Sequence, residues 1–296
     1  MKAAEKGFLL LTSQLGDPQS KPLTVAQFRR LTAFARNMEK PTESRELTCE
    51  DLMQLGYDRQ WADHILRLLN REEQLEYYVN QAARNGCYPI TRINADYPEN
   101  LRNRLGNDAP GSLWARGDRN LLNQPAIALV GSRDLSEENR KFAEEAGRQA
   151  ALQGYVLVSG NARGADKTAQ DSCLEAGGQV ISIVADSLKK CKDRSDMLYL
   201  SEDGFDCGFS TLRALSRNRL IHAMGLLTLV AQCSYCKGGT WTGTTQNLQH
   251  DWSPVFCFQD GSAGVRELTQ CGANAVDIGE LADFKTLQKQ NISFFD

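Results

Sequence analysis

The sequence lacks the features of a membrane-spanning or exported protein. No apolar run approaches the roughly 20 residues that a transmembrane helix needs. The N-terminus, residues 1–7, shows no apolar core followed by the small-residue cleavage site of a signal peptide. We therefore expect a cytoplasmic protein with no membrane partner.

Histidine is scarce and cysteine is scattered. The three histidines show no metal-ligand spacing, and the nine cysteines are odd in number. One local pair occurs, Cys233 and Cys236, whereas a zinc ribbon needs two such pairs. We expect reduced thiols, no metal and no cofactor, and the pattern assigns no role to this pair.

A strong charge of one sign is also absent. The chain has 34 Lys and Arg against 37 Asp and Glu, a net charge of -3. A dedicated DNA-binding protein is often basic overall, but clustered positive residues can still make one face basic. With 296 residues, 41% hydrophobic and 24% charged, the chain is long enough for one large and one smaller domain.

The first part of the chain, residues 1–88, has the pattern of a small helical domain. Thr24 precedes apolar residues at helical spacing, and two short segments on either side of Gly56 begin at the capping residues Thr48 and Asp58. These two segments suggest either a helix-hairpin-helix (SAM-like) unit that touches a DNA backbone or a plain packing domain. Few basic residues flank the glycine, which favours packing.

Beyond the helical part, apolar runs alternate with helical segments. Ala126–Val130, bounded by Pro125 and Gly131, is typical of a buried parallel strand. Further strands are predicted at 155–158, 179–184, 226–231 and 254–258. This alternation predicts an α/β fold with a Rossmann-like, doubly wound, mostly parallel sheet. We place this domain at 89–280, a C-terminal tail at 281–296, and an extended linker over the sheet between Cys87 and Gly117.

Three glycine-rich segments follow predicted strands, where open parallel sheets bind their ligands. Glycine lets a phosphate approach the backbone, arginine offers a planar fork, and a helix start offers free N–H groups. The sequence has neither a Walker loop nor the dinucleotide fingerprint, so the ligand is not held as those motifs hold ATP or NAD. The three segments are Gly131–Arg133, Ser159–Asp166 and Lys237–Thr244.

Two further groups of basic residues could join the same pocket. A helix predicted at Leu212–Met224 would set Arg213 and Arg217 on one face, and Arg217-Asn218-Arg219 could bind phosphates or pair with acidic side chains. The basic run Lys189–Arg194 could rim the pocket or be solvated surface.

Taken in order, these segments resemble the DNA-processing protein A family (DprA/Smf), over roughly residues 90 to 280. The ordered series is far more specific than any one member of it. The matching residues are Tyr97-Pro98, Leu113–Gly117, Ile127–Arg133, Ser159–Asp166, Gly177-Gly178, Arg217–Arg219 and Gly264–Leu268.

The resemblance implies a non-catalytic protein that binds single-stranded DNA in a basic pocket and forms a homodimer. It implies DNA processing and recombination, with loading of the RecA recombinase in natural transformation. Relatives also occur in phage-defence operons, so an antitoxin role beside a toxin encoded nearby stays open. The candidate DNA- or phosphate-binding residues are Gly131, Ser132, Arg133, Ser159, Gly160, Arg163, Gly164, Arg217, Asn218, Arg219, Lys237, Gly238, Gly239 and Thr240.

The sequence departs from the family pattern in several places. Gln170 stands where the family has histidine, the third glycine segment is looser, and Gln259-Asp260 replaces a Pro-Gly. We also expect no C-terminal winged-helix domain after Leu281. These departures indicate a divergent member.

Two alternative functions belong to other classes. A nucleotide phosphoribohydrolase of the lonely guy type needs a glutamate where this chain has Asn247, and an amide cannot exchange the proton. A regulator that senses a small nucleotide is the other alternative. Trp241 and Trp252 could stack on bases, or lie in the core.

Overall fold

Nine strands form one sheet in the computed structural model, which describes residues 1–36 and 47–290. Their order across the sheet is β1-β2-β6-β5-β4-β3-β7-β8-β9. Every neighbouring pair from β6 to β9 is parallel, whereas β2 is antiparallel to both β1 and β6. The predicted fold class, a Rossmann-like and mostly parallel α/β sheet, is confirmed. The strands are β1 (Cys87–Thr91), β2 (Ser112–Gly117), β3 (Ala126–Val130), β4 (Val156–Ser159), β5 (Val180–Ile183), β6 (Met197–Ser201), β7 (Thr228–Val230), β8 (Val255–Phe258) and β9 (Asn274–Val276).

Helices cover both faces of the sheet, because alternate residues of each strand point to opposite faces. In β3, Ile127 and Leu129 belong to the core cluster that includes residues of α1, α5, α7, α8 and α13, and the other three residues belong to the cluster on the opposite face, with residues of α6, α10 and α12. The α-helices are α1 (Ala3–Thr12), α2 (Val25–Arg36), α3 (Cys49–Gln54), α4 (Arg59–Leu69), α5 (Glu72–Arg84), α6 (Glu99–Leu105), α7 (Glu137–Leu152), α8 (Ala165–Glu175), α9 (Thr211–Ser216), α10 (Asn218–Met224), α11 (Gly238–His250), α12 (Ala263–Gln270) and α13 (Phe284–Gln290).

The N-terminal helices divide between two cores. Leu9 and Leu10 of α1 and Leu75 of α5 pack on the sheet, whereas Leu52 of α3 and Ile65 of α4 belong to a separate small cluster. The domain boundary predicted at residue 88 lies inside β1, which spans Cys87–Thr91. Residues 37–46 of the predicted helical domain lie outside the described residues.

The linker predicted between residues 87 and 117 is wrong, because this segment contains β1, α6 and β2. The two strands pair in antiparallel register, with Pro89 opposite Trp114. Proline is tolerated there because β1 is an edge strand and needs one hydrogen-bonding side only. The proline and glycine residues at the ends of these elements, Pro98, Pro110, Gly111 and Gly117, are typical of loops. They led to the prediction of a linker in place of β-strands.

The C-terminal segment is part of the same core. Leu281, Phe284 and Leu287 are buried in the cluster beneath α7. The last residues of the predicted tail, 291–296, lie outside the described residues. Within 1–36 and 47–290, no helix has both the length and the apolar character of a bilayer span.

Candidate phosphate-binding site

A cavity of about 520 Å³ opens at the carboxyl ends of β3 and β7. β3 lies between β4 and β7, and the chain proceeds outward from it in both directions, so the cavity occupies the switch point of the sheet. Nine of the fourteen predicted site residues line it: Gly131, Ser132, Arg133, Arg217, Asn218, Lys237, Gly238, Gly239 and Thr240.

The segment after β3 forms one wall of the cavity. Gly131 is crowded, because a Cβ there would lie 2.5 Å from the Cβ of Ala165. The Ser132 N–H donates to the Gln232 carbonyl at 3.0 Å, and the Thr240 hydroxyl donates to the Gly131 carbonyl at 2.9 Å. These bonds tie the ends of β3 and β7 to the start of α11. The exposed side chain of Arg133 stands at the rim.

The second glycine segment, Ser159–Asp166, packs against the backbone of Ser132 and Arg133 in the wall of the cavity. Gly164 has φ +80°, and a Cβ there would lie within 2.5 Å of the carbonyl oxygens of Ser132 and Arg133. Ser159 is fully buried and accepts a hydrogen bond from Gln170 at 2.6 Å. Neither Gly164 nor Ser159 lines the cavity.

Arg163 from the same segment lies on the surface. Its guanidinium pairs with the Asp134 carboxylate at 2.9 Å, and both side chains are largely exposed. Arg163 is outside the cavity lining, to which Arg133 belongs.

The helix predicted over 212–224 is divided into α9 and α10 by Arg217, so the predicted common face is wrong. Arg213 turns to the sheet, where it pairs with Asp203 at 2.5 Å and donates to the Ala185 and Cys207 carbonyls. Arg217 instead lies against Gly160, whose missing Cβ would stand 1.5 Å from the Arg217 Nη1 atom. Any side chain at position 160 would overlap the Arg217 guanidinium in this arrangement, so glycine is required there.

Arg217 forms the floor of the cavity. Its side chain is 8% exposed, and Nη2 lies 3.8 Å from Oδ2 of Asp166. Its Nε and Nη1 atoms have no hydrogen-bond partner among the described residues. Burial lowers the pKa of Arg217 and raises that of Asp166. A buried guanidinium with two unused donors is costly, and an anion beside it in the cavity would offset part of this cost by its charge.

Arg219, two residues further on, has a different environment. It binds both oxygens of Glu202, at 3.1 and 2.5 Å, and donates to the Ser216 carbonyl at 2.6 Å. Its side chain is 21% exposed and lines a separate groove beside Thr24 and Trp252. For Arg219, the alternative of an ion pair with an acidic side chain is therefore confirmed.

The third glycine segment is the start of a helix. α11 begins at Gly238, with Lys237 as its N-cap. Glycine and β-branched threonine are poor helix formers, but Asn218 donates to the Gly239 carbonyl at 3.0 Å and holds this first turn. The N–H groups of a first helical turn have no partner within the helix, so this end of α11 attracts an anion.

Sequence reasoning missed part of the lining. Asp166 lay in the second segment but was not chosen; its acidic side chain in the first turn of α8, beside a glycine, was the available signal. Thr211, Ala214 and Leu215 of α9 also line the cavity. No sequence motif marks these three residues, because they lie at the cavity only as a result of the break between α9 and α10 at Arg217.

The basic run Lys189–Arg194 does not line the cavity. Lys190 pairs with Asp186 at 2.9 Å, and Arg194 pairs with Asp196 at 2.6 Å. The run is a surface segment with its own acidic partners.

The aromatic candidates differ in position. Trp252 is buried and stacks on His250 at 5.4 Å, away from the cavity lining. Trp241 in α11 is half-buried and meets the exposed Tyr235 edge-on at 5.1 Å. Tyr235 is two residues before Lys237 in the chain, and neither ring of this pair belongs to the cavity lining.

Asn247 belongs to a buried network below α11. It exchanges hydrogen bonds with Ser253 at 2.9 and 3.1 Å, and its Nδ2 lies 3.2 Å from Nδ1 of His222. Burial lowers the pKa of His222 to about 3, so this histidine is neutral at neutral pH. Neither residue lines the cavity.

The cysteines form no disulfide, and all nine lie within the described residues. Cys233 is buried and Cys236 is exposed, with φ +53°. Across 1–36 and 47–290, no cluster of three or more His, Cys, Asp or Glu could hold a metal ion.

Comparison with known proteins identifies a family whose match covers the sheet and the residues that line the cavity. The family described as DNA recombination-mediator protein A matches residues 89–285. The chain belongs to this family. DNA processing protein DprA of Streptococcus pneumoniae is 31% identical over 195 residues, 60% of this chain and 68% of the relative. DNA processing protein DprA of Bacillus subtilis is 25% identical over 202 residues, 63% of this chain and 67% of the relative.

Two solved structures share the fold. DprA from Streptococcus pneumoniae has a TM-score of 0.74 at 23% identity, covering 95% of this chain and 97% of that one. DNA processing protein A from Helicobacter pylori has a TM-score of 0.56 at 24% identity, covering 69% and 96%. The latter structure describes a single-stranded DNA binding mode of that protein. The first likeness extends through the N-terminal helices.

Proposed function

We propose that this protein is a non-catalytic single-stranded DNA-binding protein that holds a phosphate of the strand in the cavity at the ends of β3 and β7. The observation that carries the proposal is Arg217, a buried guanidinium whose Nε and Nη1 have no partner among the described residues. Phosphate oxygens are strong acceptors for such a fork.

The charge of the cavity favours a nucleic acid. Arg133, Arg217 and Lys237 contribute three positive charges and Asp166 one negative charge, a formal local charge of +2 (three minus one). The whole chain has a net charge of -3. The local excess is therefore opposite in sign to the overall charge, and it marks the place where a polyanion would dock.

The shape of the site favours a single strand. Arg217 is on the floor of a concave cavity, whereas the phosphates of a duplex lie on a stiff cylinder. A single strand can bend locally to bring a phosphate inward and can place a base on an exposed ring. Tyr235, 50% exposed and packed edge-on against Trp241, provides such a ring one residue after Ser234, which lines the cavity.

The lining favours binding over catalysis. Among the described residues, the cavity contains one carboxylate, Asp166, and no histidine or cysteine. Asp166 already faces Arg217 and accepts the Ala162 N–H at 3.1 Å. Asn247 cannot take the place of a catalytic glutamate, because an amide does not exchange a proton at neutral pH.

The biological setting follows from the family. Relatives are named as DNA processing proteins, and one solved relative is described by its single-stranded DNA binding. We propose a role in DNA processing and recombination in the cytoplasm, as a homodimer that loads a RecA-type recombinase. A phage-defence role with a toxin partner is the second setting, and the genes next to this one would distinguish the two.

Binding measurements test the proposal. Fluorescence anisotropy with a labelled oligonucleotide, alone and annealed to its complement, should show tighter binding of the single strand and a steep loss with salt. Arg217→Gln should weaken binding, and Arg148→Gln is the matched control, because Arg148 pairs with Glu145 outside the cavity. Equal binding by wild type and Arg217→Gln would contradict the proposed site.

A further inference from the structure

We propose that the cavity selects a phosphate monoester over an internal phosphodiester. A monoester is the terminal phosphate of a nucleic acid strand or the phosphate of a mononucleotide. This inference rests on the proposed function in one respect, because both assign a phosphate to Arg217. It goes further by specifying which kind of phosphate the site was built to hold.

The burial of Arg217 is the first argument. The side chain is 8% exposed and lines the cavity, so a phosphate must enter the cavity completely to lie beside the guanidinium. An internal phosphodiester carries a nucleoside on each side, and both would have to follow it inward. A monoester carries one. The cavity of about 520 Å³ is within the range of small-ligand pockets and suits one nucleotide better than two.

Charge is the second argument. A phosphodiester carries one negative charge, whereas a phosphate monoester carries about -1.5 to -2 at neutral pH. The formal charge of the lining is +2, from Arg133, Arg217 and Lys237 against Asp166. A monoester neutralises this charge, and a single diester leaves about half of it uncompensated.

The number of donors is the third argument. A monoester offers three terminal oxygens and a diester offers two. The positively polarised groups that line the cavity come from several directions: the Arg217 side chain on the floor, the first turn of α11 at Gly239 and Thr240, and Lys237 at the rim. Three oxygens can use these directions together.

The test compares oligonucleotides that differ at one end. Single strands of the same sequence, labelled at the 3′ end, carry either a 5′-phosphate or a 5′-hydroxyl. A 5′-hydroxyl strand two nucleotides longer matches the added charge. We expect the 5′-phosphate strand to bind about tenfold to a hundredfold more tightly than both hydroxyl strands, as charge-assisted hydrogen bonds would give.

Small competitors separate the two sources of the monoester. AMP should displace the strand, adenosine should not, and inorganic phosphate should do so at higher concentration. A strand with a 3′-phosphate, labelled internally, shows whether either end is accepted. Displacement by AMP without any preference for a phosphorylated end indicates the mononucleotide as the source.

Two variants assign the preference to Arg217. Arg217→Gln should abolish it, and Arg148→Gln should keep it. Gly160→Ala gives an independent check if Arg217→Gln fails to fold, because the new Cβ would displace the guanidinium without removing a charge. A preference that survives in both cavity variants would overturn the assignment.

The outcomes distinguish this inference from the proposed function. Equal affinity for the phosphorylated and charge-matched strands, with no displacement by AMP, would overturn the inference and leave single-strand binding intact. Binding of AMP without binding of any strand would refute the proposed function and support the monoester site.

Discussion

Arg217 and Arg219 are two residues apart, yet the structure treats them in opposite ways. Arg219 binds Glu202 through two hydrogen bonds and has acceptors for its charge. Arg217 stands 3.8 Å from Asp166 and has two donors without a partner in the described chain. We therefore interpret Arg219 as a structural residue and Arg217 as a ligand-binding residue.

The positions of the two residues at the start of α10 explain the difference. Arg217 is the N-cap of α10 and Arg219 lies in its first turn, and their guanidinium groups face different neighbours. The side of Arg219 meets the loop after β6, which carries Glu202. The side of Arg217 meets Gly160 and the start of α8. An Arg-Asn-Arg triplet can therefore combine a structural and a binding arginine.

The largest effect should come from Arg217. We expect Arg217→Gln to weaken single-strand binding about tenfold to a hundredfold, because a charged fork in a buried site is lost. Arg219→Gln should change binding by less than about twofold, as expected for a residue outside the site. Anisotropy titrations at one salt concentration measure both. A larger loss for Arg219→Gln would reverse the comparison.

The second effect concerns stability. Arg219→Gln should lower the free energy of unfolding by about 2 kcal/mol, because Glu202 would stay largely buried without its charged partner. Urea denaturation measures this change. Arg148→Gln, at an exposed pair, is the control and should change the free energy of unfolding much less than Arg219→Gln does. Unchanged stability of Arg219→Gln would show that its ion pair is not structural.

A smaller effect is expected at the rim. Lys237→Gln should weaken binding about threefold and reduce the slope of log K against log salt by about one. Lys237 is exposed, so its contribution is screened by salt, unlike that of Arg217. Titrations at several salt concentrations test this. An unchanged slope would place Lys237 outside the bound strand's path.

The smallest effect is expected at Arg163. It was a candidate from its motif, but it pairs with Asp134 on the surface and is outside the cavity lining. Arg163→Gln should weaken binding by less than about twofold. A loss as large as that of Arg217→Gln would show that the strand runs over this surface instead.

Five strands of the parallel part of the sheet, β3, β4, β5, β7 and β8, were predictable from sequence, because buried parallel strands are continuous apolar runs, whereas the parallel strands β6 and β9 were not predicted. Ala126–Val130 is an example, and all five of its residues are buried. The antiparallel extension was not predicted. β1 contains Pro89 and β2 follows Gly111, so local signals there indicated turns, and only the pairing of the two strands overrides them.

The site was predictable in part, for a similar reason. Glycine at a strand end signals close approach, which located Gly131 and the start of α11. Which arginine faces the cavity depends on the break between α9 and α10 and on where Asp166 and Glu202 lie. These are relations between distant segments, and composition and spacing do not encode them.

A crystal structure of the protein with a bound single-stranded oligonucleotide tests the central claim most directly. We predict a phosphate in the cavity with oxygens about 2.7–2.9 Å from Nε or Nη1 of Arg217, and Arg219 still bound to Glu202. A strand that passes elsewhere, with Nε and Nη1 of Arg217 unchanged, would contradict the account.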